Sequence, residues 1–320
     1  MMNVLSLFDG VGGARLALDR AGIFVDKYFS SEIDPHAISV MRKHYPDTIE
    51  LGDVRNIRAT DLPKIDLLIG GSPCQSFSRC GYEKGFDDPR GQLMLEYIRL
   101  FKELSPRYFL LENVMMSKES VDIISELLGV RPHLINSDKF SAQMRKRLYW
   151  TNIPIGLVTD KNIMLEDVVD KDALVDRDKA HAIIASIGRT THREYFKKNQ
   201  GQVVYHAISL SNIYGGFGET RPRIYLGKSP TIRTASGGGH IPSLIINGVE
   251  KEFTLEEFKK FIRKINPEEA ERLQTYPSGW TKYDENGTEI CATHRYRLIG
   301  NSYTVGVVQH ILEGIKDGWF

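Results

Sequence analysis

With 320 residues, 41% of them apolar and 26% charged, the chain can bury a sizeable core and is too apolar to stay disordered. No apolar stretch approaches the roughly 20 residues of a membrane span, and the N-terminus lacks the basic, apolar, small-residue order of a secretory signal. Three cysteines, Cys74, Cys80 and Cys291, fit neither a disulfide framework nor a four-ligand zinc site, so a cytoplasmic protein without a metal centre is expected. The net charge of +1 argues for no polyanionic partner, but 171–233 carries 11 Lys/Arg against five Asp/Glu, while the rest is mildly acidic.

In chain order, 3–8 (NVLSLF) reads as a strand, 14–21 as a helix closed by Gly22, 27–33 as a strand, and 35–45 as a helix stopped before Pro46. The runs 65–69 and 108–111 are two more strands. Between them Leu93, Tyr97, Leu100, Phe101 and Leu104 recur at helical spacing, giving one apolar face that ends at Ser105-Pro106. Strands alternating with helices predict an α/β fold with a parallel, Rossmann-like sheet, whose ligands bind beyond the carboxyl ends of the strands.

That rule gathers the polar residues at one rim. FDGVGG (8–13) follows the first strand, Glu32 and Asp34 close the second, Asp53 follows the run 48–51, Cys74 follows the fourth strand, and Glu112-Asn113 follow the fifth. The glycine loop is not G-x-G-x-x-G and reads equally as a plain turn. Glu32 has the position of an acidic residue that accepts from a ribose diol, or of a helix N-terminal charge. Cys74 sits beyond the apolar run, in GGSPCQSFS (70–78), where a thiol is exposed to activation by positive charge. Alone it reads more readily as a small packed residue than as a reactive one.

After Trp150 the periodicity weakens. Residues 165–223 are rich in charges and turn formers, and IYGGFGETRPRIY (213–225) interleaves basic and aromatic residues. Helical patterns return at 254–263 and at 267–273, where Asn266 is a good cap before Pro267. The last segment, 298–315, reads as a loop leading into an apolar helix.

Eight segments stand in a familiar order: LFDGVGG (7–13), SEID (31–34), GDVRNI (52–57), GGSPCQSFS (70–78), ENV (112–114), QMRKRLYW (143–150), RLQTYP (272–277) and GNSYTVGVV (300–308). Together they resemble the DNA (cytosine-5) methyltransferase family of bacteria and phages, with some similarity to the animal de novo branch. The resemblance implies S-adenosylmethionine as cofactor. Phe8 would contact the adenine, the backbone from Asp9 through Gly10 to Gly12 the methionine part, Glu32 the ribose hydroxyls and Asp53 the adenine amino group. Ile33 and Val54 would complete that wall, Pro73 would order the loop, and Asn301 and Ser302 would close the pocket.

The resemblance also implies the chemistry. Carbon 5 of cytosine is a poor nucleophile until a thiolate adds to carbon 6, which makes Cys74 the nucleophile. Glu112 would assist at ring nitrogen 3, and Arg145 and Arg147 would stand near the cytosine carbonyl and the target phosphate. A stacked cytosine is out of reach and would have to be flipped out of double-stranded DNA, with Gln75, Ser76 and Ser78 beside it on a loop spanning 75–90. The basic segment would read the DNA, with Arg221, Arg223 and Arg233 as contacts. The implied division is a catalytic domain, 1–154 plus 298–320, and a recognition domain, 155–297. A cognate restriction endonuclease, self-protection of a phage genome and an orphan mark all fit such a chain, in a prokaryotic or phage-infected cell.

Two alternatives remain at this point. Transfer-RNA cytosine methyltransferases share the catalytic domain, but that branch carries Pro-Pro-Cys-Gln and a later Cys-Phe-Thr. Here Ser72 precedes Pro73, and Ala292-Thr293 follow Cys291. A catalytically silent DNA-binding homologue is the second, and intact Cys74, Glu112 and Arg147 speak against it.

Overall fold

Short apolar strands that alternate with one-sided helices can bury both sheet faces only by placing helices above and below. The computed structural model describes residues 1–72, 92–170, 173–175, 178–189, 204–206, 209–212, 223–225, 243–246, 249–252 and 262–317. Its first half runs β1 (Met2–Leu7), α1 (Gly13–Arg20), β2 (Val25–Ser31), α2 (Pro35–His44), β3 (Ile49–Glu50), β4 (Leu67–Gly70), α3 (Gln92–Leu104), β5 (Tyr108–Asn113), α4 (Lys118–Leu128), β6 (His133–Asn136), β7 (Gln143–Met144) and β8 (Lys146–Thr151).

Seven of these strands form one sheet in the order β3-β2-β1-β4-β5-β8-β6. The first five are parallel, whereas β8 runs antiparallel to both β5 and β6. The chain winds outward from β1 to β3 and then returns to β4 on the other side, so the topological switch lies between β1 and β4. Successive residues in a strand face opposite layers. Val4, Leu67 and Ile69 accordingly join a core with α1, while Leu5, Leu7 and Leu68 join a second core with Tyr97 of α3 and Ile124 of α4.

Beyond Thr151 follow β9 (Ala173–Val175), β10 (Ala180–His181), β11 (Val204–His206), β12 (Ser209–Asn212), β13 (Arg223–Tyr225), β14 (Ser243–Ile246), β15 (Val249–Glu252), β16 (Ile262–Arg263), α5 (Pro267–Leu273), α6 (Ala292–Asn301) and α7 (Val305–Asp317). The middle strands form small antiparallel sheets, β16-β11-β9 and β13-β12-β14-β15, and β10 pairs in parallel with β7. The predicted helix over 254–263 falls mostly outside the described residues, but its last two, Ile262 and Arg263, are strand. Pairing of Val204 with Arg263 and of Tyr205 with Ile262 outweighs the local helical pattern.

Helix α5 starts as its sequence predicts. Asn266 accepts from Glu269 N at 2.8 Å, and Glu269 returns to accept from Asn266 N at 2.6 Å. In contrast, 298–301 is the end of α6 and not a loop. Gly300 is tolerated in that helix because a Cβ there would stand 2.5 Å from Ala185 N, so the close approach of two backbones demands glycine. Ala270, Leu273, Tyr276 and Trp280 share the core of the main sheet, and the Trp280 indole donates to Val11 O at 2.9 Å. Among the described residues no helix is long and apolar enough to cross a membrane.

Candidate active site

The carboxyl ends of β1 to β5 share one rim, and antiparallel β8 brings its N-terminal residues to the same rim. There a cavity of about 470 Å³ is lined by Phe8, Gly10, Glu32, Ile33, Asp53, Val54, Glu112, Arg145, Arg147 and Asn301, together with Gly71, Ser72 and Arg55. Residues scattered over nearly the whole chain are thus brought together by the ends of adjacent strands and the end of α6.

The loop after β1 turns sharply, with Phe8 at φ 56° and Gly10 at φ 61°. A left-handed Phe is costly, and the hydrogen bond from Gly10 N to Glu32 Oε2 at 2.8 Å helps to hold the turn. Glu32 also accepts from Ile33 N at 2.7 Å and Asp34 N at 2.9 Å through Oε1. A carboxylate has about four acceptor sites, so these bonds orient Glu32 while leaving it able to accept from a hydroxyl in the cavity.

Asp9, by contrast, turns away from the cavity. It is buried and accepts from the hydroxyls of Ser6 (2.6 Å), Tyr28 (2.8 Å) and Ser30 (2.9 Å). Burial raises its pKa to about 6 although those three bonds oppose the shift. Gly12 does not line the cavity either; a Cβ there would meet Met41 Sδ at 2.5 Å, so its role is the packing of the loop on α2. Ser302 is buried behind Asn301.

Asp53 caps a single 3-10 turn by accepting from Arg55 N at 3.0 Å, and its carboxylate pairs with the Arg55 guanidinium at 2.5 Å. The Arg55 side-chain hydrogen bonds hold the Asp53 carboxyl below its usual range. Sequence reading passed over Arg55, although its place two residues after the acid was a visible signal.

Glu112 and Arg147 meet across the sheet. Glu112 lies opposite Tyr149 in the β5–β8 ladder, which puts Arg147 diagonally across the same face, and Arg147 Nε approaches Glu112 Oε1 at 3.0 Å. Both side chains are largely buried, at 14% and 16% exposure, so each charge depends on the other. Arg145 is placed differently. It donates to Ile183 O at 3.0 Å, Gly300 O at 3.1 Å and Ser302 O at 3.3 Å. Its guanidinium therefore clamps three carbonyls of two backbone segments, Ile183 and the end of α6, at the edge of the cavity, a task the resemblance did not suggest.

Other residues of the eight segments complete this clamp. Gln143 donates to Leu273 O and Gln274 Oε1, both at 3.2 Å, and accepts from Ile183 N at 2.6 Å, while Thr304 donates to Gln274 Oε1 at 2.6 Å. Asn113 donates to Ser72 Oγ at 3.0 Å and so ties the end of β5 to the end of β4. Gln143 and Gln274 stand among mixed polar and apolar neighbours, so nothing in the local pattern marks them as buried supports. Pro73, Cys74, Gln75, Ser76, Ser78, Arg221 and Arg233 lie outside the described residues, and Arg223 is described only as part of β13.

The donor set fits an adenosyl cofactor. Glu32 offers acceptors for a diol, Asp53 an acceptor for an amino group, and Phe8, Ile33 and Val54 apolar surface on the same wall. Ile33 is 68% exposed, an apolar side chain left uncovered beside the cavity.

The family described as C-5 cytosine-specific DNA methylase matches residues 2–317. Type II methyltransferase M.Bsp6I of Bacillus sp. (strain RFL6) is 28% identical, over 98% of this chain and 98% of its own length. Type II methyltransferase M1.ScrFI of Lactococcus lactis subsp. cremoris is 30% identical, over 98% of this chain and 78% of its own length. Among solved structures, the Entamoeba histolytica methyltransferase EhMeth superposes with a TM-score of 0.70 at 16% identity, over 99% of this chain and 98% of its own. S. pombe Dnmt2 does so with 0.63 at 16%, over the full length of both; likeness at such identity concerns the fold alone. With the match running from the first strand to the last helix, the chain belongs to the C-5 cytosine-specific DNA methylase family of S-adenosylmethionine-dependent enzymes.

Proposed function

We propose that the protein methylates carbon 5 of a cytosine flipped out of a specific double-stranded DNA sequence, through a transient covalent bond from Cys74. The observation that carries this reading is the Glu112–Arg147 pair at the cavity, beside Gly71 and Ser72 from which the chain leads to Cys74. S-adenosylmethionine, bound by Phe8, Glu32, Asp53 and the backbone of the loop after β1, supplies an electrophilic methyl group.

The chain's own groups then have distinct tasks. The Cys74 thiolate bonds to carbon 6, and the ring electrons this displaces are received at ring nitrogen 3, where the Glu112 carboxyl delivers or shares a proton. Arg147 donates to the cytosine carbonyl, for which it must exchange its bond to Glu112. Carbon 5, made nucleophilic by that addition, takes up the methyl group; loss of its proton then expels the thiolate, and nitrogen 3 gives its proton back to Glu112 as the ring is restored. Arg145 acts from behind by holding Gly300 to Ser302 in place. Segment 155–297 carries DNA recognition, with its part from α5 onward fastened to the main core. The protein acts in the cytoplasm of a bacterium or a phage-infected cell, and a restriction endonuclease reading the same sequence is the partner that relatives named type II methyltransferases suggest.

Bisulfite sequencing of DNA from cells expressing the protein, beside a Cys74→Ala control, tests this reading. Protection of cytosines in one sequence context, lost in the control, is expected. Labelling of RNA with no protected cytosine in DNA would remove the DNA assignment, and no labelling of either would remove the catalytic one.

A further inference from the structure

Tyr303 is 6% exposed, and its hydroxyl is buried with no hydrogen-bond partner among the described residues. An unpaired buried hydroxyl costs stability, so its retention calls for a use. The ring lies across the switch point of the sheet, between the loops that follow β1 and β4. A Cβ added to Gly13 would touch Tyr303 Cδ2 at 3.3 Å, and one added to Gly71 would touch Tyr303 Cε1 at 3.1 Å.

The same point beside Gly71 lies 3.1 Å from Glu112 Oε2 and 3.4 Å from the Tyr303 hydroxyl. The phenol and the carboxyl thus both border the small space that the absent side chain of Gly71 leaves. Arg147 holds the other carboxyl oxygen, Oε1. Tyr303 cannot easily move off, because Ser302 O accepts from Arg145 on one side and Thr304 is bonded to Gln274 on the other. Burial, reinforced by the Glu112 and Asp9 carboxylates, raises the phenol's pKa well above its usual value, so it is a donor at any working pH.

We propose that Tyr303 is a positioning residue for Glu112: its hydroxyl donates to Oε2 when the carboxyl leaves Arg147, and turns Oε1 toward ring nitrogen 3 of the cytosine. The proposal rests on the methyltransferase reading. It involves no net transfer by Tyr303, which keeps its proton throughout.

Tyr303→Phe removes only an oxygen that makes no bond in this structure, so the variant is expected to fold with a melting temperature no lower than that of the wild type. With tritiated S-adenosylmethionine and unmethylated phage DNA, its kcat should fall about tenfold, less than the roughly hundredfold or more that outright loss of an acid group costs, with KM for S-adenosylmethionine within about twofold of wild type. Covalent trapping on DNA containing 5-fluorocytosine should slow by the same factor. In a Glu112→Gln background, Tyr303→Phe should have little further effect, since coupled residues do not act additively. An unchanged kcat, an equal loss in the Glu112→Gln background, or a raised KM with kcat retained would each overturn the proposal; the last would assign the hydroxyl to the cofactor. A wild-type protein that transfers no methyl group to DNA would remove the function reading itself, an outcome distinct from the other three.

Discussion

Asp9 carries a charge problem that the surrounding hydroxyls only partly solve. Its carboxyl is raised from 3.8 to about 6, chiefly because burial penalises the anion. The folded protein therefore holds this proton more tightly than the unfolded chain does. The contribution is fully present below the unfolded value and is lost as pH rises through about 4 to 6, by roughly 3 kcal/mol at about 1.4 kcal/mol per unit. Urea denaturation across that range should show Asp9→Asn less sensitive to pH than wild type, and parallel curves would dismiss the buried-anion account. The three hydroxyl bonds explain why aspartate is kept: they fasten the loop after β1 to Tyr28 and Ser30 of β2, which sets Phe8 and Gly10 against Glu32.

Arg145 and Arg147 sit two residues apart, yet the short step from β7 to β8 sends them to different neighbours. Arg147 lies in β8 and faces Glu112, whereas Arg145 falls between the strands and reaches the end of α6. Replacing each with lysine should separate these roles. Arg145→Lys cannot span three carbonyls with one ammonium, and buried carbonyls left unpaired should cost about 3 kcal/mol in urea denaturation. Arg147→Lys keeps a charge beside Glu112, so neither group is left buried and unpaired, and stability should stay within about 1 kcal/mol of wild type, while methyl transfer falls. The opposite pattern would return Arg145 to the role that the family resemblance gave it.

Across the whole molecule, charge is divided: the basic residues concentrate in 171–233 while the rest is mildly acidic. If Arg221, Arg223 and Arg233 neutralise phosphates, each change to Ala should reduce the slope of log K against log salt by about one. Weaker binding at an unchanged slope would point to base edges or folding instead. On one face of the sheet, residues of α5, α6 and α7 pack with α1 into a single core, which ties the end of the chain to its first strand.

The chain's pattern alone determined the alternation of strands and helices through β5, the cap of α5 and the rim on which the polar residues stand. Those features depend on local periodicity and on the rule that parallel strands end on one side. Tertiary structure decided the rest. That 298–301 is helical follows from its packing on Ala185, and that Ile262 and Arg263 are strand follows from pairing with β11. The opposite orientations of Asp9 and Glu32, of Arg145 and Arg147, and the approach of Tyr303 to Glu112 through Gly71 depend on neighbours up to 232 positions away in the chain. Local propensity contains no term for such contacts, because long-range packing and buried hydrogen bonds are chosen only once the sheet has closed.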